Sequence, residues 1–237
     1  MLLHQQRRAG RGAALWTLLA CVLLSSHASA REGSVVLPER ASTVGLMASR
    51  WQGASGWGDG LALRLDSGVR DGAAGLTFGL DAGAVTAGLG SGKGGDDPGA
   101  DKPSLLLAGR VGGVWGLHGW NLLWPGELLL VSEAELRYDV EHPWLRGWRL
   151  LPRIGLRVIV GHGSWLVGRL DADVAPSVYG DRRSGGPSPI WVARLRASVG
   201  LQRLQLVAAY ERWGVRSEVG SLSRFTVGLQ FGFGGGR

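Results

Sequence analysis

The sequence predicts an all-β protein, a single antiparallel β-barrel of about ten strands, with eight as the alternative count. From about residue 43 to residue 233, apolar and polar residues alternate with a period of two. This is the periodicity of a β-strand that lies between two unlike environments. The alternating stretches are about 10 to 14 residues long, and short and long polar links follow one another between them.

Residues 1–30 are predicted to be a cleaved secretory signal peptide. Three arginines precede an apolar stretch, and Ala28-Ser29-Ala30 has the small-x-small pattern of a cleavage site. The alternative is a lipoprotein signal, in which Cys21 would be lipidated after cleavage. Residues 31–42 are then a periplasmic lead-in, because Pro38 argues against a regular strand there. Residues 43–233 form the barrel, and 234–237 are a glycine-rich tail.

Composition excludes several classes of protein. The three arginines of the leader are its only charged residues, so the remaining chain carries 23 Lys and Arg against 19 Asp and Glu, a net charge of +4. This mild excess does not indicate a nucleic-acid binder. Cys21 is the only cysteine, so cleavage after residue 30 leaves no disulfide, thiol or cysteine–metal chemistry. We expect no cofactor and no metal site.

Ten alternating segments are predicted as strands. In the fifth, apolar Leu128 and Leu136 alternate with charged Glu133 and Arg137. In the last, Phe, Val and Leu occupy every second position, so the strand has one fully apolar face. The predicted strands span residues 43–52, 60–70, 74–89, 104–117, 128–141, 150–161, 166–179, 190–201, 204–213 and 224–233.

Strand and link lengths favour a membrane barrel over a soluble one. Strands of globular proteins usually have about 5–6 residues, whereas a tilted crossing of a bilayer needs about 9–11. If both termini are periplasmic, the links after strands two, six and eight should be short, and those after strands three, seven and nine long. The sequence has this order, which is typical of bacterial outer-membrane barrels. The final strand should then pair with the first, to leave no open edge in the hydrocarbon.

Tryptophans lie at or just beyond the predicted strand ends, where aromatic girdles meet the two membrane interfaces. The predicted girdle consists of Trp51, Trp115, Trp120, Trp124, Trp165, Trp191 and Trp213.

The polar faces carry charges that complement each other from strand to strand. In a barrel they would line the lumen, where an unpaired charge is costly. The predicted lumen network consists of Arg64, Asp66, Arg110, Glu133, Glu135, Arg137, Asp139, Arg153, Arg157, Arg169, Asp171, Asp173, Arg194, Arg196 and Glu211.

Together these features resemble the small bacterial outer-membrane β-barrels, which have a signal peptide, an even strand number and a last strand with alternating aromatics. The resemblance implies that the outer-membrane assembly machinery recognises the last strand, with Phe225, Phe231 and Phe233 as the matching aromatics. It also implies an outer-membrane location and contact with outer-membrane lipid. This chain continues past its final phenylalanine as Gly234–Arg237.

Two motifs suggest catalysis. His162-Gly163-Ser164 resembles the His-x-Ser of outer-membrane lipid A deacylases, but its position in a short periplasmic turn favours turn residues. Asp171 and Asp173 resemble an omptin-like acidic pair, but nearby arginines favour charge balance.

We therefore expect a non-enzymatic outer-membrane barrel that acts as a scaffold, anchor or docking component. Its protein partners would lie in the envelope, for example in a motility or secretion machine. A narrow channel or porin for small solutes is the alternative, in which the lumen charges select ions. An outer-membrane hydrolase is the third reading.

Overall fold

A computed structural model describes residues 40–53, 56–71, 73–89, 104–120, 124–139, 147–162, 166–176, 179–180, 189–201, 203–215 and 221–233. The predicted signal peptide, most of the lead-in and the glycine-rich tail lie outside these ranges. None of the residues in these ranges belongs to a helix that could span a bilayer.

Ten long strands and one two-residue strand make up the described fold. They are β1 (Arg40–Gly53), β2 (Gly56–Asp71), β3 (Ala74–Leu89), β4 (Ser104–Trp120), β5 (Gly126–Asp139), β6 (Gly147–His162), β7 (Leu166–Pro176), β8 (Tyr179–Gly180), β9 (Pro189–Leu201), β10 (Leu204–Val215) and β11 (Leu222–Phe233).

The long strands form one closed antiparallel barrel, which confirms the predicted fold class and the count of ten. Going round the wall, the order is β5-β4-β3-β2-β1-β11-β10-β9-β7-β6, and β6 pairs with β5 to complete the circle. The predicted seam between first and last strand is present. It runs from the pair Ser42 and Phe233 to the pair Gln52 and Ser223.

The two ends of the barrel differ in their connections. At the short-connection end, β2 turns into β3 and β9 turns into β10 through two residues each. At the long-connection end, residues 90–103 join β3 to β4, and residues 216–221 join β10 to β11. Among the long strands only β3 has the predicted bounds, and the other nine begin or end one to four residues away from theirs. At two of these ends a proline sets the limit. β5 begins at Gly126, directly after Pro125, and β7 ends at Pro176, because a proline cannot donate to the ladder.

The outward face is apolar all round. Thirty-three large hydrophobic or aromatic side chains are exposed among the described residues, and all ten long strands contribute to them. A soluble monomer rarely exposes a contiguous apolar patch of more than a few hundred Å². A continuous belt of this kind matches the hydrocarbon of a bilayer. In β11 the outward row is the predicted one, Phe225, Val227, Leu229, Phe231 and Phe233.

The seam can be tested by disulfide trapping. Partners in an antiparallel pair have Cα atoms about 4.5–5.5 Å apart, within the reach of a disulfide. Cysteines at Leu46 and Leu229 (outward) or at Ser49 and Thr226 (inward) should therefore cross-link in the assembled protein, visible as altered migration on a non-reducing gel. The two pairs occupy alternate rungs, so one of them is the closer, non-hydrogen-bonded type.

The single-cysteine variants control for Cys21. A further control combines Leu46→Cys with Leu206→Cys on β10, two strands away from β1. This pair should not cross-link. Failure of both seam pairs to cross-link would mean that the barrel is open.

Candidate functional site in the barrel interior

The inward-facing positions form a dense set of ion pairs, which begins with a chain across four neighbouring strands. Arg153 on β6 donates from Nε to Glu135 on β5 and from Nη1 to Asp173 on β7, both at 2.8 Å. Arg194 on β9 donates from Nε to the other oxygen of Asp173, also at 2.8 Å. All four side chains are buried. The planar guanidinium suits this role because it can donate to two carboxylates in fixed directions.

A second chain crosses the interior. Arg64 binds Asp81 through two hydrogen bonds of 2.7 Å. Arg110 donates from Nη2 to Asp66 at 2.9 Å and to Asp81 at 3.3 Å. Asp66 also accepts a hydrogen bond of 3.2 Å from Arg196. Because β1, β11 and β10 separate β2 from β9, the contact between Asp66 and Arg196 bridges the lumen.

A third group of charges lies beside these two chains. Asp171 accepts from Nε of Arg157 at 2.7 Å and from Nε of Arg169 at 2.8 Å. Glu133 lies 3.8 Å from Arg157 and 3.6 Å from Arg194. The third group thus connects with the first through Arg194, so the charges are coupled across β5, β6, β7 and β9.

Glu211 on β10 differs from most of the other carboxylates because its arginines lie beyond hydrogen-bond distance. Arg137, Arg153 and Arg224 approach its carboxylate to 3.8, 3.9 and 3.7 Å, which is longer than a hydrogen bond. Arg137 lies on β5, four strands from β10 around the wall, so this approach also spans the lumen.

Apart from Asp139, whose side chain is outside the described set, the structure places every predicted lumen residue in the interior. Several other interior residues are absent from the predicted network. Asp81 partners Arg64 and Arg110, and Glu127 pairs with Arg70. Arg149, Arg224 and Gln230 are also buried there. The two-residue alternation of the sequence does indicate them, since each of these residues lies on the polar face of its strand.

The girdle prediction is wrong for two tryptophans. Trp51 and Trp213 point inward and are 0% exposed. Their ring centroids are 6.5 Å apart, and the guanidinium of Arg137 lies 5.1 and 5.0 Å from the two rings. Arg224 lies 4.8 Å from the ring of Trp51. These distances are in the range of cation–π attraction. Residues two apart in a strand lie on the same face. Trp51 is two residues after the inward Ser49, and Trp213 is two residues after the inward Glu211, so both tryptophans point inward.

These two tryptophans belong to an apolar layer that fills the lumen at the long-connection end. Most inward-facing positions along the strands are polar or small. At this level, however, eight strands each place an apolar side chain inward. All members are at most 3% exposed and pack in one cluster, which consists of Trp51, Val85, Leu106, Leu151, Ala175, Val192, Trp213 and Leu222. The layer draws on every part of the wall except β2 and β5, and Arg137 of β5 packs against its tryptophans.

Four of the other five predicted girdle residues are exposed or half-buried, and the fifth is not among the described residues. Trp124 and Trp191 are exposed, Trp115 and Trp120 are half-buried, and Trp165 lies outside the described residues. Several further outward aromatics near the long-connection end are absent from the predicted girdle. These are Trp57, Tyr138, Trp148 and Tyr210.

The two candidate catalytic motifs have ordinary surroundings where they are described. His162 ends β6, while Gly163 and Ser164 are outside the described residues. Asp171 and Asp173 are each bound by two arginines. Within the described ranges, no group of three His, Cys, Asp or Glu side chains is placed to hold a metal ion.

The closed wall, apolar exterior and charged interior define an outer-membrane type of β-barrel. Among solved structures, the chain is similar to an outer-membrane channel from Pseudomonas putida F1 (12% identity, TM-score 0.48, 84% of this chain and 97% of that one). It is also similar to the translocator domain of the autotransporter NalP from Neisseria meningitidis (12%, 0.40, 95% and 97%) and to Neisserial surface protein A (12%, 0.34, 85% and 100%).

No protein-family profile matches the chain, and no curated protein matches its sequence. At 12% identity and TM-scores below 0.5, the three solved structures say nothing about what this barrel does.

The structure offers two arginine–aspartate pairs of matched geometry in different surroundings. Arg64→Ala should lower the free energy of unfolding by about 3–5 kcal/mol, because it strips Asp81 of both short hydrogen bonds inside the barrel. The matched control is Arg50→Ala, whose pair with Asp59 is also bidentate but exposed. That control should leave stability unchanged within error. Urea titration of the refolded barrel measures both, and equal losses would contradict the burial of the Arg64–Asp81 pair.

Proposed function

We propose that this chain is a closed outer-membrane β-barrel that serves as an anchor or docking component in the envelope. The apolar layer at the long-connection end carries the proposal. It contains side chains from eight strands, and none of them is more than 3% exposed. Water and ions crossing the barrel would have to displace Trp51 and Trp213 from Arg137.

The ion pairs support the same proposal. Charges that select ions in a pore face water, whereas these arginines and carboxylates mostly bind one another at 2.7–2.9 Å. Contacts such as Asp66 with Arg196 connect opposite sides of the wall. An interior filled in this way stabilises the barrel and leaves its outer surface and its connections to meet partners.

A narrow channel is the second candidate, and one observation favours it. The side chains of Asp66 and Arg169 are 23% and 27% exposed, more than the charges deeper in the network. Both lie nearer to the short-connection end of their strands. Solvent therefore reaches part of the charged interior from that end, and displacement of the apolar layer would complete a path.

Planar-bilayer recording separates the two candidates. The refolded wild-type protein should show no stable single-channel steps. Trp51→Ala with Trp213→Ala should produce steps, because the double change removes the two largest side chains of the layer. The matched control, Trp191→Ala, removes an outward tryptophan at the same end and should stay silent. Steps of equal conductance in the wild type and the double variant would sink the closed-barrel proposal.

The location rests on export by the leader, with both termini in the periplasm and the last strand read by the assembly machinery. We expect the protein in the outer-membrane fraction, soluble only in detergent. Its intact mass should be that of a chain whose first residue is Arg31. The mass of a chain that begins with an acylated Cys21 would instead show that the leader is of the lipoprotein type. Recovery from the soluble periplasm would overturn the location.

A further inference from the structure

A depression lies on the lipid-facing surface, on β4 and its neighbours. Its floor is Gly109, where an added methyl group would meet no atom within 4 Å. Ala134, the next small outward residue, extends the floor onto β5. The depression encloses about 520 Å³, and its walls are Leu65, Phe78, Leu80, Val111, Leu136 and Leu150.

The dimensions of this groove restrict its occupant. Gly109 pairs with Leu80 on β3 and with Leu136 on β5. Neighbouring strands lie about 4.8 Å apart, so the two flanking backbones are about 10 Å apart. Leucine side chains narrow this slot from both sides. A single hydrocarbon chain fits, whereas a helix about 10–12 Å wide does not.

An extended peptide does not fit either. An added strand needs an unpaired sheet edge, and β4 is paired with β3 on one side and β5 on the other throughout this region. The lining is almost entirely apolar, with Ser67 and Arg110 as its polar residues, and the guanidinium of Arg110 binds carboxylates inside the barrel. The surface thus offers an occupant apolar contact and little hydrogen bonding.

The groove also has a defined depth. One outward row nearer to the long-connection end, Leu107 pairs with Tyr138, which pairs with Trp148. The rings of Tyr138 and Trp148 stack at 4.4 Å between centroids. Tyr and Trp favour the level of the lipid headgroups. The groove therefore begins just below one membrane interface and runs toward the middle of the barrel.

We propose that this groove is a lipid site that holds one acyl chain from the leaflet on the long-connection side. The stacked Tyr138 and Trp148 lie at the headgroup level, and the chain lies over Gly109 between Leu80 and Leu136. The site is independent of the lumen, so it holds for a closed barrel and for a channel alike.

Native mass spectrometry of the full-length protein tests the site. The probe is palmitoyl-oleoyl phosphatidylcholine, from vesicles of which the protein is extracted in mild detergent. Gly109→Leu has free space for its Cβ and projects the rest of its side chain into the groove, so it should lower the fraction of protein that retains a lipid by about tenfold. The matched control is Ala172→Leu, which adds the same kind of bulk to an outward position between Leu156 and Leu195. It should retain lipid as the wild type does.

Heat-modifiable gel migration verifies that all three proteins are folded barrels. Equal lipid retention by all three would overturn the proposal. Loss of a dimer in Gly109→Leu, with lipid retention unchanged, would also overturn it, because the occupant would then be a second copy of the chain.

Discussion

A strand in hydrocarbon has no water to satisfy its N–H and C=O groups, and the rest of this structure depends on that constraint. Every edge has to be paired, so β1 must meet β11 and the sheet must close. Closure then decides what the side chains face. The outward row of each strand meets lipid, and the inward rows of ten strands are brought together in a narrow space. Neither the apolar belt nor the ion pairs would be stable in an open sheet.

Inside that space, charged residues are stable only as mutual partners. A carboxylate moved away from water loses several kcal/mol of hydration, which it regains only through good geometry with its cations. Arg153, held between Glu135 and Asp173, meets that requirement on two sides. The pairs also fix the register of the strands. A slip by one residue would turn an entire charged row toward lipid, so wrong pairings of the strands are strongly disfavoured.

The alternation with a period of two was sufficient to predict the fold, because it depends on the sequence of each strand alone. The strand count, the seam and the outward row from Phe225 to Phe233 follow from it. The partners inside the barrel do not follow. Whether Asp66 meets Arg196 depends on the tilt and stagger of strands far apart in the chain. Trp51 and Trp213 differ from the prediction for another reason, since a position near a strand end does not decide on which face of the strand a side chain lies.

In the closed barrel proposed above, the apolar layer would make the interior a pocket that opens to one side of the membrane only. The layer lies at the end of the long connections, whereas the more exposed charges, Asp66 and Arg169, lie nearer to the other end. A small ion or solute that entered such a pocket would exchange with one compartment alone and leave by the way it came. The interior of a closed barrel would therefore respond to the composition of one side of the membrane without passing anything to the other.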